Sequence, residues 1–216
     1  MIPFSRDVFL DLVAQYNALL WPAQIAALLL GLVVLYFSIR THDGNSRFPV
    51  LIVAVSWLAV GIGYFALHFS TLNWAAWLSA ALFVTQALLL VWTGVIRSGF
   101  RLHYDNDIAS QIGVALLAFA IAGYPLLGLA TGTGTAALPI VGIDPGPTVL
   151  LTWGFLLLST TPAPLVLAVI PFIAACVGAA AGWLIDLPAD LVLPPAAVAG
   201  LWLILAKRRR YRGAAK

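Results

Sequence analysis

Apolar residues run along this chain in long blocks separated by short polar breaks. A helix needs about 20 such residues, at about 1.5 Å each, to cross a hydrocarbon core roughly 30 Å thick. Seven blocks meet or approach that length, near 21–40, 49–69, 73–97, 111–131, 147–160, 163–185 and 188–206. The fifth is short because Pro145, Pro147 and Pro162 crowd its ends, and it reads as a tilted crossing or a re-entrant hairpin. The first 20 residues follow a different pattern. Val8, Phe9, Leu12, Val13, Tyr16, Leu19 and Leu20 recur at helical spacing with Arg6, Asp7 and Asp11 opposite, as in a helix lying in the headgroup plane. Ser5 is its expected cap, and Trp21 and Pro22 mark the entry to the first span. The predicted architecture is all-α: an amphipathic interfacial helix over 1–20, one polytopic bundle of about seven transmembrane helices over 21–206, and a basic tail over 207–216.

Composition supports a membrane class. Of 216 residues, 62% are hydrophobic and only 9% charged, and a mean hydropathy of +1.03 is more than one soluble core of this size can hide. All eight acidic residues are aspartates. The net charge of +3 is gathered at one end rather than along a groove, which argues against a nucleic-acid partner. The single Cys176 excludes a disulfide framework or a paired-thiol motif within the chain.

Charge placement sets an orientation, because Lys and Arg in short loops mark the cytoplasmic side. Arg40 and Arg47 flank the first loop, Arg97 and Arg101 occupy the third, and the tail reads "AKRRRYRGAAK". The connectors "STLN", 131–147 and "DLPAD" carry no Lys or Arg, and Asp144, Asp186 and Asp190 sit in them. These facts agree for an odd number of crossings, with the amino terminus outside and the carboxyl terminus in the cytoplasm.

With those aspartates assigned to loops, no Asp, Glu, Lys or Arg falls inside a span, which argues against proton relays, ion-coupled transporters and voltage sensors. A retinal protein is excluded by the lack of a lysine in the last span. A phosphate-binding loop at Gly132-Thr-Gly134 lacks its lysine and its preceding strand. Polar side chains within the spans must find partners and so turn inward. Tyr64 and His68 are four apart on the second span, Ser79, Gln86 and Thr93 recur every seven residues on the third, Tyr124 precedes Pro125, which should kink the fourth, and Thr148 and Thr152 face one way on the fifth. Asp144 hangs over them from the glycine-rich connector. The candidate ligand-binding set is therefore Tyr64, His68, Gln86, Tyr124, Asp144, Thr148 and Thr152; the alternative is that these groups only bond one another, at about 0.6–2 kcal/mol per pair. His68 and Asp144 are too few for a metal site, and no cofactor is assigned. Trp74, Trp77, Trp153 and Trp183 are expected in an outer aromatic belt. Ala174, Gly178 and Gly182 form a small-residue face for a neighbouring helix, within the chain, in a homo-oligomer or in a membrane partner.

The stretches "FSRDVFLDLVAQYNALLWPAQ", "GIGYFALHF", "LFVTQALLL", "GYPLLGL" and "PGPT" together resemble an uncharacterised bacterial family of small multi-pass membrane proteins, a domain of unknown function, over most of the chain. The resemblance implies no activity. Its members often carry a histidine soon after "PLLGL" and a cysteine between the later prolines; here 131–135 hold no histidine and Gly146 stands between Pro145 and Pro147. The functional expectation is an uncoupled facilitator or binding protein for a small polar solute, through an outward-facing pocket. The alternatives are a scaffold or accessory subunit with no substrate and, last, a membrane enzyme using His68.

Overall fold

The computed structural model describes residues 5–40, 46–97, 101–159 and 163–214. The extreme ends of the predicted interfacial helix and tail, and Pro162, lie outside them. Every regular element among the described residues is a helix, with no strand, as the long apolar blocks lead one to expect. In chain order they form α1 (Arg6–Leu20), α2 (Ala23–Arg40), α3 (Arg47–Thr71), α4 (Ala76–Ile96), α5 (Ile108–Ala130), α6 (Pro145–Leu157), α7 (Val166–Leu184) and α8 (Leu193–Ala214), the last entered through a tight turn over Pro188–Val192. Six segments are long and apolar enough to cross a membrane: α2, α3, α4, α5, α7 and Pro188–Tyr211. The short block is the exception, with 13 helical residues that extend about 20 Å.

Polar caps start the helices where local chemistry demands them. The Ser5 hydroxyl accepts from the Val8 amide at the head of α1, Asp107 from Ser110 at the head of α5, and Asp144 from Gly146 at the head of α6. Three long helices contain widened π turns, at Val60–His68, Val91–Ile96 and Phe119–Gly123. The third answers the proline at 125. A kink that frees a carbonyl is expected there, and the structure instead widens the preceding turn, with the Tyr124 amide bonded back to Phe119, which absorbs the missing donor.

The short helix α6 is the centre of the molecule. Every residue from Gly146 to Leu157 is buried, and α5, α7, α8 and α3 pack around it. Trp153, expected in the outer belt, is fully buried on α6 against Gly200 of α8, whereas Trp74, Trp77 and Trp183 are exposed. Its ring fills the interior because α6 is enclosed by neighbouring helices on every side. The closest approach is between backbones: a methyl group added at Gly154 would sit 2.6 Å from the Gly113 carbonyl and 2.9 Å from the Leu117 amide of α5.

The ends of α6 sort the rest of the chain. At its carboxyl end the Leu158 carbonyl accepts from the His103 amide at 3.0 Å, the Ser46 hydroxyl accepts from Leu102 at 3.0 Å, and Lys207 bonds the Ser159 carbonyl. At its amino end lie Asp144, the 131–144 connector, α1 and the turn that bears Asp190. The basic and the aspartate-bearing connectors therefore collect at opposite ends of the bundle.

Gly154→Ala should lower the melting temperature of the purified protein by several degrees, because only backbone movement can accommodate the new methyl, a cost of about 1–3 kcal/mol. Gly178→Ala, whose nearest neighbour is the movable tip of Leu193 at 3.1 Å, should leave it unchanged or raised. Equal melting temperatures for the two variants would contradict the backbone contact.

Candidate functional site

At the aspartate end the helices part around a cavity of about 270 Å³. The 131–144 connector forms part of its wall through Thr133, Ala137 and Pro139. Left-handed backbone at Gly132, Gly134 and Gly142, with φ near +80°, turns the connector back on itself, and the Thr133 amide bonds the Gly128 carbonyl at 2.9 Å. Helix α1 holds it down: Arg6 donates to the Thr131 carbonyl at 2.9 Å, and Asn17 donates to the Ala136 and Leu138 carbonyls at 3.0 Å each. The interior side of α1 is thus the narrow strip Val13, Tyr16 and Asn17, while Val8, Leu19 and the following Trp21 remain exposed.

Four polar side chains converge deep in the cavity. Three are expected from the sequence, Tyr64, Tyr124 and Asp144; the fourth, Asp190, was assigned to a loop. In the structure Asp190 opens the last membrane-length apolar segment and accepts a hydrogen bond from the Tyr124 hydroxyl. An acid therefore does stand at the mouth of a span, contrary to the expectation of none, and the Pro188–Val192 turn is what swings it inward. A signal was available in the sequence: "LPAD" is a helix-starting proline followed by an acid that must point toward either the lipid or the bundle.

Asp144 does two jobs. Its carboxylate caps α6, with the Gly146 amide 3.1 Å from Oδ1, and its remaining surface opens onto the cavity. Burial and then the neighbouring Asp190 push its pKa up to about 7, against the opposing pull of the Gly146 amide. Across the cavity wall the Tyr16 phenol is pushed up to about 12, by burial and then by Asp144. Neither aspartate makes an ion pair among the described residues. Gly146 leaves room for the arrangement, since any side-chain carbon there would collide with the Tyr124 hydroxyl. That contact is why the cysteine of the resembled family pattern does not fit here without moving Tyr124.

The other four expected residues are not in the wall. His68 turns Nδ1 to the Gly63 carbonyl at 2.8 Å and packs its ring 4.6 Å from Tyr16, so Nδ1 donates and the ring braces α1. Thr148 and Thr152 are fully buried in a relay along α6: the Trp57 indole donates to Thr152 at 2.7 Å, Thr152 to the Thr148 carbonyl at 2.9 Å, and Thr148 to the Asp144 carbonyl at 2.7 Å. Gln86, also fully buried, donates to the Leu167 carbonyl at 3.0 Å and ties α4 to α7 below the cavity. Gly182 packs within the chain, with the Asp190 side chain and the Leu187 carbonyl around it, and Gly178 faces the cavity.

These features define an all-helical protein with six membrane-length apolar helices around a short central one, and an acid-bearing cavity at one end. Within that class the chain belongs to the DUF6064 family of unknown function, whose model matches residues 6–215. No curated protein and no solved structure matches it.

The position of Asp144 has a measurable cost. Its folded-state pKa lies above the ordinary 3.8, so its contribution favours folding fully below pH 4 and is lost as pH rises through about 7. Asp144→Asn keeps a capping oxygen and removes the charge, and at pH 8 it should be more stable than the wild type by about 1–4 kcal/mol, with no such gain at pH 4. Thermal melting at the two pH values reads this directly; a variant less stable at both would show that the carboxylate is a net stabiliser.

Proposed function

We propose that the chain is an integral protein of a bacterial inner membrane that crosses seven times and binds small polar or weakly charged solutes in its end cavity, passing them without energetic coupling. The single observation that carries this reading is the cavity, with Tyr64, Tyr124, Asp144 and Asp190 gathered at its inner end. A mostly apolar cavity with a few convergent polar groups is the usual form of a small-molecule site.

The membrane part is supported by six helices of sufficient length and by large apolar side chains left exposed on them, such as Leu29, Val55, Leu88, Val177 and Trp202, a surface unsuited to water. The seventh crossing is α6. At about 20 Å it falls short of the roughly 30 Å core, but both its ends are finished by buried protein groups, which is where irregular backbone is tolerated at membrane depth. With the basic end in the cytoplasm, the cavity, α1 and the exposed Trp74, Trp77 and Trp183 lie at the outer face. A scaffold role is less well supported, because Gly182 of the small-residue face already packs inside the chain.

Two measurements check the reading. In a Cys176→Ala background, Asp186→Cys should react with an impermeant thiol reagent from outside intact cells and Arg209→Cys only after permeabilisation; labelling of both from one side would refute the orientation. Proteoliposomes should swell in glycerol or urea several-fold faster than empty liposomes, and Ser79→Phe, which fills the cavity wall, should return the rate to background. Identical swelling with and without protein would remove conduction.

A further inference from the structure

The cavity is open at its flank as well as closed at its top. One side is lined by Ala75, Ser79 and Leu82 at the head of α4, the other by Ile173 and Val177 of α7, which are 40% and 56% exposed. Below, the Gln86 bond to Leu167 holds the same two helices together. The wall of the cavity thus includes side chains of α4 and α7 that also reach the apolar exterior, in the same lining as the aspartates.

The inner end is chemically asymmetric. It presents two carboxyl groups and aromatic rings from Tyr64, Phe83 and Tyr124, and the strongest influences on Asp144 are its burial, Asp190 and one amide, none of them a positive charge. Independently of the acids, Tyr64 is 97% buried in the cavity wall, and its hydroxyl has no hydrogen-bond partner among the described residues. That oxygen reaches the cavity space rather than being enclosed by protein, so a ligand there can bond it. Unpaired acids, aromatic faces and an orphaned phenol oxygen together match one kind of group, a protonated amine. The apolar mouth matches a hydrocarbon body on that amine. An empty apolar cavity of about 150 Å³ accepts benzene, so about 270 Å³ admits a phenyl ring with a short chain and not a two-chain lipid.

We propose that this cavity binds a small lipophilic amine, which enters sideways between α4 and α7 and places its ammonium against Asp144 and Asp190 and its hydrocarbon body along Phe83, Leu82 and Val177. The inference rests on the cavity being a solute site and names the class of solute. The groups that face Asp144 are Asp190 from the turn before α8, Tyr124 from α5, Tyr64 from α3 and Tyr16 from α1, and the nearby Arg6 is bonded to the Thr131 carbonyl. An ammonium therefore competes with protons for the carboxyl pair, and binding is strong above pH 7 and falls as pH drops through it.

The test is binding of radiolabelled phenethylamine to the full-length protein in nanodiscs of zwitterionic lipid. Binding at pH 8 should be saturable, displaced by unlabelled phenethylamine and not by phenethyl alcohol or 3-phenylpropionate, and about tenfold weaker at pH 6. Asp144→Asn and Asp190→Asn, which keep the capping and phenol-accepting oxygens, should each weaken it at least tenfold and flatten the pH dependence. Tyr64→Phe should weaken it several-fold, and Ser79→Phe should abolish it by closing the mouth without touching the acids. Absence of saturable binding at pH 8, equal displacement by the alcohol, or unchanged affinity in both monodisperse Asn variants would overturn the proposal. Amine binding without glycerol or urea flux would uphold it while removing conduction, and flux without amine binding would do the opposite.

Discussion

The arrangement depends on backbone contact between α5 and α6 at Gly113 and Gly154. Helices normally stay 8–10 Å apart because their side chains intervene. With no side chain on either glycine, α6 sinks against α5 until the Gly113 carbonyl occupies the place a methyl would take. That depth leaves α6 buried along its whole length, with room for Trp153 on the far side only because Gly200 recedes from it. A central helix so enclosed has no exposed face to satisfy, and its 13 residues can be short without exposing their ends. Everything at the two ends is built around that position.

The cavity follows from the shortness. Because α6 begins well inside the bundle, its cap Asp144 is deep, and the 131–144 connector has to descend to reach it. The space above is covered by α1, which is anchored through Arg6 and Asn17 to connector carbonyls that would otherwise be buried without donors. The turn before α8 then delivers Asp190 to the same space. Burial and the neighbouring Asp190 destabilise the charged form of Asp144, and the hydrogen bond from the Gly146 amide offsets only part of that cost.

The helical elements were legible in the sequence because a membrane-length apolar block has few alternative structures, and their ends were marked by Ser5, Asp107, Pro145 and the basic clusters. The gathering of Tyr64, Tyr124 and Asp144 at one end was legible from the alternation of the connectors. What could not be read was radial position. A period of 3.6 says which residues share a face, yet α6 is apolar all round, so nothing in its pattern separates an interior helix from a lipid-facing one. Trp153 was misplaced for that reason, and of the two readings open for Thr148 and Thr152 the structure displays the hydrogen bonding within the bundle. Asp190 was missed because a carboxylate two residues after a proline was counted with the loop before it rather than the helix after it.

The glycine-rich connector shows how one sequence feature can be structural in its parts and functional in its placement. Gly132, Gly134 and Gly142 are needed for left-handed turns, and none of them touches the acids. Gly146 is different: it is the residue that lets the Tyr124 hydroxyl reach Asp190 past the first turn of α6. A side chain there would separate the phenol from the acid, leaving Asp190 with no partner to hold it inward. The chemistry of the cavity therefore turns on an absence of side chain at one position, next to the acid that caps the central helix. Because the capping acid Asp144 and Gly146 share the first turn of α6, and Asp190 is held across that glycine by Tyr124, the placement of α6 and the character of the site are set together.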